Sequence, residues 1–173
     1  MTERQEFRVI QSYKGFELRE YLPCSIAEVK VSADYSSAGS VAFRSLFGYI
    51  SQGNKRSEKI AMTAPVVESS SNGVNRMAFM LPSEYKLDNA PRPTNPAITL
   101  KEMPVRIIAS IRYSGRWTDK NVAKYKAKLE QHLAANKVDV IGEFSTAVYN
   151  APFTPPFMRR NEIHYEISAL PER

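Results

Sequence analysis

Residues 19–31 read REYLPCSIAEVKV, and residues 101–113 read KEMPVRIIASIRY. In each stretch a glutamate and a proline precede an apolar, strand-like run. The matching pairs Glu20 and Glu102, Ala27 and Ala109, and Val29 and Ile111 are all separated by the same 82 positions. A helical pattern and two more strand-like runs follow each stretch. We therefore predict a strand–helix–strand–strand unit used twice, over residues 7–88 and 98–170, within a single domain of residues 1–173. The alternative is a chance similarity between two amphipathic segments.

Turn residues divide the rest of the chain into short elements. A Lys-Gly pair at 14–15 separates two strand-like runs, which is typical of a β-hairpin. The serines at 36 and 37 suit the start of a first helix, and the Gly-Asn pair at 53–54 suits its end in a left-handed conformation. Asp119 is the expected N-cap of the second helix. The predicted strands cover residues 7–10, 16–21, 26–31, 77–81, 105–113, 143–149 and 162–168, and the predicted helices cover residues 36–52 and 119–136.

The composition indicates a soluble globular protein. The chain has 173 residues, a net charge of +6 and an isoelectric point of about 9.4. It contains one cysteine and two histidines, so a disulfide within the chain is excluded, and we predict no metal site built from protein ligands. The sequence shows no secretory signal and no apolar run long enough to span a membrane. We therefore expect a cytoplasmic protein that does not associate with membranes.

The positive charge is concentrated in one part of the chain. Residues 101–137 contain nine Lys or Arg and three acids. These charges are not interleaved with aromatic residues, and no nucleic-acid-binding motif is present, so we predict no specific nucleic-acid partner. Lys120, Lys124 and Lys128 recur every four residues on the second helix, away from its apolar stripe. We interpret them as a solvated face.

The two predicted helices differ in how much of their circumference is apolar. The second helix gathers its large apolar side chains within about 80° of the helical wheel, which is typical of a helix with one buried side. The first helix spreads them over roughly 240°, leaving a narrow polar edge that includes Ser40 and Arg44. Phe43 and Phe47, one turn apart, exceed what one packed face needs. Such an apolar surplus must be covered by more protein, by a partner or by a ligand.

A proline-rich segment is a candidate cover for this surplus. Residues 151–158 read APFTPPFM, which is unusually apolar for a loop. Phe153, Phe157 and Met158, facing the two phenylalanines of the first helix, would form an apolar slot suited to a flat hydrophobic ligand. The alternative is that the loop packs on the helix and closes the core, and the residues are equally compatible with both.

No catalytic set can be assigned from the sequence. We interpret Cys24 as a semi-buried structural residue, because no histidine is near it in the sequence. His164 alternates with the apolar residues of its strand, so we expect it on the opposite, solvated face. His132 lies at the border of the core stripe of the second helix, and we interpret it as a boundary residue rather than a ligand.

Four strings taken together resemble the SOUL family of haem-binding proteins. They are FELREY at 16–21, AMTAPV at 61–66, YSGRW at 113–117 and RRNEI at 159–163, and the likeness covers about residues 7–167. The resemblance implies an α+β fold, a distorted antiparallel β-barrel with two helices built from a duplicated unit. It also implies binding of haem or another tetrapyrrole in a shallow apolar groove, between the first helix and the loop before the RRNE string.

The resemblance also implies which residues contact the ligand. They are Ser40, Phe43 and Phe47 on the helix and Phe153, Phe157 and Met158 in the loop, with Arg44, Arg159 and Arg160 as candidate partners for the propionates. Members proposed to ligate the haem iron through a histidine place it in the first of the four strings. Glu20 occupies that position in this chain, so we expect haem to be held without a histidine axial ligand.

The leading hypothesis is therefore a monomeric, non-enzymatic protein that binds haem or a related porphyrin, a small hydrophobic planar ligand, in this groove. One alternative is a hydrolase or tetrapyrrole-modifying enzyme that uses a carboxylate such as Glu20 or Glu162. A further alternative is a module whose groove is filled by a helix of a partner protein.

Overall fold

Strands dominate the computed structural model, which describes residues 1–31 and 38–171. The strands are β1 (Glu3–Arg4), β2 (Phe7–Tyr13), β3 (Phe16–Tyr21), β4 (Cys24–Val31), β5 (Thr63–Ala64), β6 (Val66–Ser71), β7 (Val74–Met80), β8 (Ile98–Met103), β9 (Arg106–Tyr113), β10 (Val140–Val148) and β11 (Asn161–Ile167). The helices are α1 (Ala38–Ile50) and α2 (Asp119–Ala135), and a short 3₁₀ helix covers Pro156–Met158. These elements form two compact units, unit 1 (Met1–Gln5 and Pro23–Pro104) and unit 2 (Glu6–Leu22 and Val105–Arg173).

Unit 1 is an antiparallel sheet with α1 packed on one face. Its strands are ordered β6, β7, β4, β8, and the short strands β1 and β5 form a separate parallel pair. The core beneath the helix is apolar and includes Ala42, Leu46, Tyr49 and Ile50 from α1 and Ala27, Val29, Met77 and Phe79 from the sheet. Ile26, Ala78 and Met80 form a second buried cluster on the opposite face of the sheet. The first part of β4 is therefore buried on both faces.

The end of α1 depends on a close approach of two backbone segments. The Gly53 amide donates to the Gly48 carbonyl oxygen at 2.9 Å. A Cβ atom on Gly53 would lie 2.5 Å from that oxygen, so only glycine fits there. The left-handed residue is Gln52, with a φ of 80°, one position before the predicted pair at 53–54. The serines predicted as N-caps, at 36 and 37, lie outside the described residues.

Unit 2 has α2 packed on one face of a second antiparallel sheet. The strand order is β2, β3, β9, β11, β10. Its core is apolar and includes Phe16, Leu18, Ala109, Ile111, Leu129, Leu133, Ile163 and Ile167. The N-cap of α2 is Thr118, whose Oγ1 accepts a hydrogen bond from the Asn121 amide at 3.2 Å. The sequence placed this cap one residue later, at Asp119, and correctly placed the end of the helix at Asn136.

The predicted hairpin is confirmed and joins β2 to β3. Gly15 has a φ of 100°, a conformation that favours glycine. A Cβ atom there would also come within 2.8 Å of the His132 ring of α2. That ring stacks on Phe16 with a centroid separation of 5.5 Å, so His132 lies at the border of the unit 2 core, as the sequence predicted.

The structure confirms an α+β fold with antiparallel sheets and two helices. Unit 1 has the order β4, α1, β6, β7, interrupted by the two-residue β5, and unit 2 has the order β9, α2, β10, β11. In addition, β8 pairs with β4 in unit 1, and β3 pairs with β9 in unit 2. Within each unit the described strands pair in an open order, so the closed barrel remains a prediction, as do the duplication and the single domain. No helix in the described ranges has the length and apolar character needed to cross a membrane.

Candidate functional site

An apolar surface remains exposed on α1 after the helix has covered its sheet. Phe43, Phe47 and Val41 expose 40%, 48% and 56% of their surfaces. The Phe43 and Phe47 rings lie nearly parallel, at 13°, with centroids 6.1 Å apart. Phe43 also meets the ring of Phe79 edge-on, at 5.3 Å, which fixes its position on the sheet. The apolar surplus inferred for the first helix is thus present on the outer side of α1.

Two polar residues complete this surface, which we call the α1 surface (Ser40, Val41, Phe43, Arg44 and Phe47). Ser40 and Arg44 are both exposed. Among the described residues, Arg44 has no ion-pair partner, so its guanidinium is available to an anionic group. The α1 surface therefore combines two aromatic rings with one uncommitted positive charge.

The other predicted contact residues lie on a loop of unit 2. Phe153, Phe157 and Met158, which we call the loop tip, expose 89%, 79% and 63% of their surfaces. Arg159 holds the loop in shape, because its Nε donates to the Thr154 carbonyl at 2.7 Å and its Nη2 to the Pro152 carbonyl at 2.5 Å. The nine predicted site residues thus belong to α1 in unit 1 and to the segment before β11 in unit 2, and the groove between helix and loop remains a prediction.

A buried ionic cluster, which the sequence did not reveal, surrounds Glu162 of β11. Both terminal nitrogens of Arg19 in β3 donate hydrogen bonds to this carboxylate, at 2.9 and 3.2 Å. Arg160 donates from Nε and Nη2, at 2.9 and 2.7 Å. The Tyr149 hydroxyl donates at 3.2 Å, and His164 Nε2 lies 2.8 Å from Oε2. Arg160, predicted to face the propionates, is therefore committed to an internal ion pair.

The electrostatics of this cluster keep Glu162 ionised and His164 neutral. Burial alone would raise the pKa of Glu162, but its hydrogen bonds to His164 and Arg19 and the arginine charge hold it far below its ordinary value. Burial lowers the pKa of His164, and this outweighs the opposite effect of Glu162. The neutral imidazole therefore donates from Nε2 to the carboxylate.

The buried cluster changes the interpretation of His164 and of the two carboxylates considered for catalysis. His164 is buried, and the prediction of a solvated histidine is wrong, because β11 is buried on both faces at this point. Glu162 accepts hydrogen bonds from four side chains, so it is a poor general base. Glu20, the other carboxylate considered for catalysis, is paired with Arg8 at 2.7 Å. The sequence carries little signal for the cluster, because β3 and β11 each contain several polar or charged residues and Arg19 and Glu162 do not stand out among them.

We expect His164 to make the protein less stable in acid. The unfolded state takes up a proton near the ordinary histidine pKa of about 6.5, whereas the buried ring does so only at lower pH. The contribution of His164 to the free energy of unfolding is therefore fully present above that pH and decreases as the pH falls below it. Between pH 7.5 and 5.5 the free energy of unfolding of the wild type should fall more than that of His164→Gln, measured by urea unfolding. Equal losses in the two proteins would contradict this assignment.

Cys24 and the other described residues form no metal-binding arrangement. Cys24 is semi-buried, as predicted, with the Gln5 amide donating to its sulfur at 3.2 Å. In residues 1–31 and 38–171, no three His, Cys, Asp or Glu side chains cluster closely enough to hold a metal ion. Both histidines belong to unit 2, so unit 1, which carries the α1 surface, contains no imidazole.

Solved structures share this fold. The C-terminal domain of EcmrR superposes with a TM-score of 0.68 at 11% identity, over 90% of this chain and 98% of that one. A protein described as a hydrolase from Listeria innocua superposes with a TM-score of 0.57 at 10% identity, over 92% of this chain and 94% of that one. The chain therefore belongs to a structural class of two-helix, antiparallel-sheet proteins, and at these identities the likeness concerns the fold alone.

Within this class, the family can be named. The model of the SOUL heme-binding protein family matches residues 2–166, and the chain belongs to that family. Heme-binding protein 1 of Xenopus tropicalis and of Xenopus laevis are each 25% identical to this chain over 159 residues, which is 87% of this chain and 83% of each relative. The resemblance recognised in the sequence is thereby confirmed.

Proposed function

We propose that this protein binds haem or a related tetrapyrrole, and that the α1 surface is its main contact. The observation that carries the proposal is the pair of nearly parallel phenylalanines, Phe43 and Phe47, exposed on a helix whose other side is fully packed. Membership of the SOUL heme-binding family supports the class of ligand. Flat aromatic ligands gain both apolar burial and favourable ring geometry on such a pair.

The residues present fit the two chemical parts of this ligand. The phenylalanines suit the apolar macrocycle, and Arg44 suits a propionate. Arg159 and Arg160 are less suitable, because the first bonds loop carbonyls and the second bonds Glu162. When bound, haem would supply an iron centre. Unit 1 contains no histidine, so we propose that the α1 surface holds haem without a histidine ligand to the iron.

We further propose that binding is non-enzymatic and that the protein acts as a cytoplasmic monomer. The state of Glu162 supports the first part, because an ionised carboxylate with four hydrogen-bond donors lacks the raised pKa of a general acid and the free lone pairs of a base. The composition, with a single cysteine, supports an intracellular setting.

The decisive experiment is a titration of haemin and of protoporphyrin IX, followed by absorbance. The variant Phe43→Ala with Phe47→Ala should bind at least about tenfold more weakly than the wild type, because the apolar contact area of both rings is lost. Leu87→Ala is the matched control, since Leu87 is a similarly exposed apolar residue of unit 1 outside α1. Equal affinities for the double variant and the wild type would exclude the α1 surface.

The same titration tests the predicted groove. If the loop contributes to one shared site, Phe157→Ala should also weaken haemin binding. Its effect should then be non-additive with that of Phe47→Ala, because both side chains would contact one ligand. If Phe157→Ala leaves haemin affinity unchanged, the site is confined to α1 and the groove model is wrong.

A further inference from the structure

The loop tip is the most exposed apolar feature among the large side chains of unit 2. Phe153 and Phe157 expose 89% and 79% of their surfaces, well above the 40% and 48% of Phe43 and Phe47. Within the described residues, neither loop ring stacks on another aromatic ring. Side chains this exposed contribute little to the stability of the fold, and exposing their apolar surface to water is unfavourable. We therefore expect this surface to contact something outside the chain.

Hydrogen bonds fix the loop tip against a neighbouring turn. The Gly115 amide donates to the Pro156 carbonyl at 2.8 Å, and the Asn161 side chain donates to the Gly115 carbonyl at 3.1 Å. Two residues further on, Trp117 is also exposed. This end of unit 2 therefore presents exposed aromatic side chains on two segments, the loop tip and the turn that carries Trp117, and hydrogen bonds hold the two segments together.

Basic residues accompany this end of unit 2. The turn at 114–117 leads directly into α2, and the Asn121 side chain ties the two together by donating to the Arg116 carbonyl at 2.7 Å. Arg116, Lys120 and Lys124 are exposed along this path, and Asp119 is the one acid among residues 114–128. The amino end of α2 adds the positive end of its dipole.

We propose that this end of unit 2 docks on the surface of an anionic lipid bilayer, with the loop tip entering the interfacial region. The charge complementarity favours this occupant, because exposed lysines and arginines beside an apolar tip match anionic headgroups above an apolar interior. A fluid bilayer also receives protruding side chains without a preformed pocket. Aromatic side chains such as Trp117 are favoured at the headgroup level. The sequence expectation of no membrane contact rested only on the absence of a spanning segment and a secretory signal.

This inference does not depend on the proposed haem function. It involves the loop tip and the amino end of α2, whereas the main contact of the haem proposal is Phe43 and Phe47, and Phe157 enters that proposal only through the groove. Vesicle binding can be measured without porphyrin, and porphyrin binding without lipid. The failure of one proposal is therefore distinguishable from the failure of the other.

The test uses the full chain with vesicles of phosphatidylcholine alone or with 30% phosphatidylserine. Binding is followed by co-sedimentation and by the fluorescence of Trp117, the single tryptophan, which should shift to shorter wavelength on entering the interface. We expect binding only to the anionic vesicles, and weaker binding at high salt. Phe153→Ser with Phe157→Ser should reduce the partition coefficient at least about tenfold, because two large apolar side chains are removed.

Matched controls separate this surface from general effects. Val140→Ser with Ile141→Ser removes two exposed apolar side chains at the opposite end of β10 and should leave vesicle binding unchanged. Lys120→Glu with Lys124→Glu should abolish most of the binding and its salt dependence. Lys55→Glu with Lys59→Glu makes the same charge change in unit 1 and should have a small effect.

Three outcomes would overturn the proposal. Equal binding of the loop variant and the wild type would remove the loop tip from the surface. Equal binding to neutral and anionic vesicles would remove the charge component. Failure of the wild type to bind either vesicle, together with a loop-dependent dimer in sedimentation velocity, would assign the loop tip to contact with a second copy of the chain.

Discussion

Replacing Glu162 by glutamine is expected to lower the free energy of unfolding by about 3–5 kcal/mol. The substitution preserves size but removes the negative charge that Arg19 and Arg160 face. The Arg19 side chain is almost fully buried, so its guanidinium cannot recover this interaction from water. The remaining amide would also place an NH₂ group against donors. Urea unfolding at pH 7.5 measures the effect.

The control for this prediction is Glu20→Gln, which removes a partly buried carboxylate paired with the exposed Arg8. That change should cost less than about 1 kcal/mol, because solvent screens the pair. Combining Arg19→Met with Glu162→Leu should cost less than the two single changes added together, since neither buried charge is then left alone. A loss below about 1 kcal/mol for Glu162→Gln would mean that the cluster is open to water in solution.

The second large effect is expected at Leu46, the neighbour of Phe47. Leu46 is completely buried beneath α1, and Leu46→Ala should lower the free energy of unfolding by about 2–5 kcal/mol through the cavity that it leaves. Phe47→Ala removes a larger side chain from the outer side of the same turn and should cost less stability. Urea unfolding of both variants, with haemin titration under native conditions, checks the contrast.

Opposite patterns are therefore expected from two adjacent residues. Leu46→Ala should lose stability and, where it remains folded, keep its haemin affinity. Phe47→Ala should keep most of its stability and lose haemin affinity. If Phe47→Ala proves as destabilising as Leu46→Ala while haemin binding is unaffected, the outer side of α1 is a structural surface and not a binding surface.

Local patterns predicted most of the fold. The hairpin at Gly15, the extent of α2 and the face that α2 buries follow from turn chemistry and helical periodicity, which act within a few residues. The apolar surplus of the first helix was visible for the same reason, because Phe43 and Phe47 are one turn apart. The errors at Asp119 and Gly53 are shifts of one residue at helix ends, where several residues satisfy the same cap.

The Glu162 cluster could not be predicted in this way. Alternation correctly placed His164 on the side opposite Ile163, but it does not say whether that side is solvated. The answer depends on Arg19, which lies 143 positions earlier in the chain and belongs to a different strand. Long-range pairing of this kind leaves only a weak trace in the sequence, because Arg19 and Glu162 lie in strands that carry other polar and charged residues.

In unit 2, strands from early and late parts of the chain pair with each other, and this pairing imposes an order on folding during synthesis. Unit 1 has its complete sheet once residue 104 has left the ribosome, because β8 is its last strand. The β2–β3 hairpin emerges earlier, yet its partner β9 follows much later, with Glu17 pairing to Ser110. An isolated hairpin is at best marginally stable in water, and its unpaired edge is open to other chains. The nascent chain must therefore carry an unfinished N-terminal hairpin while unit 1 folds, and this is the stage at which a chaperone has most to protect.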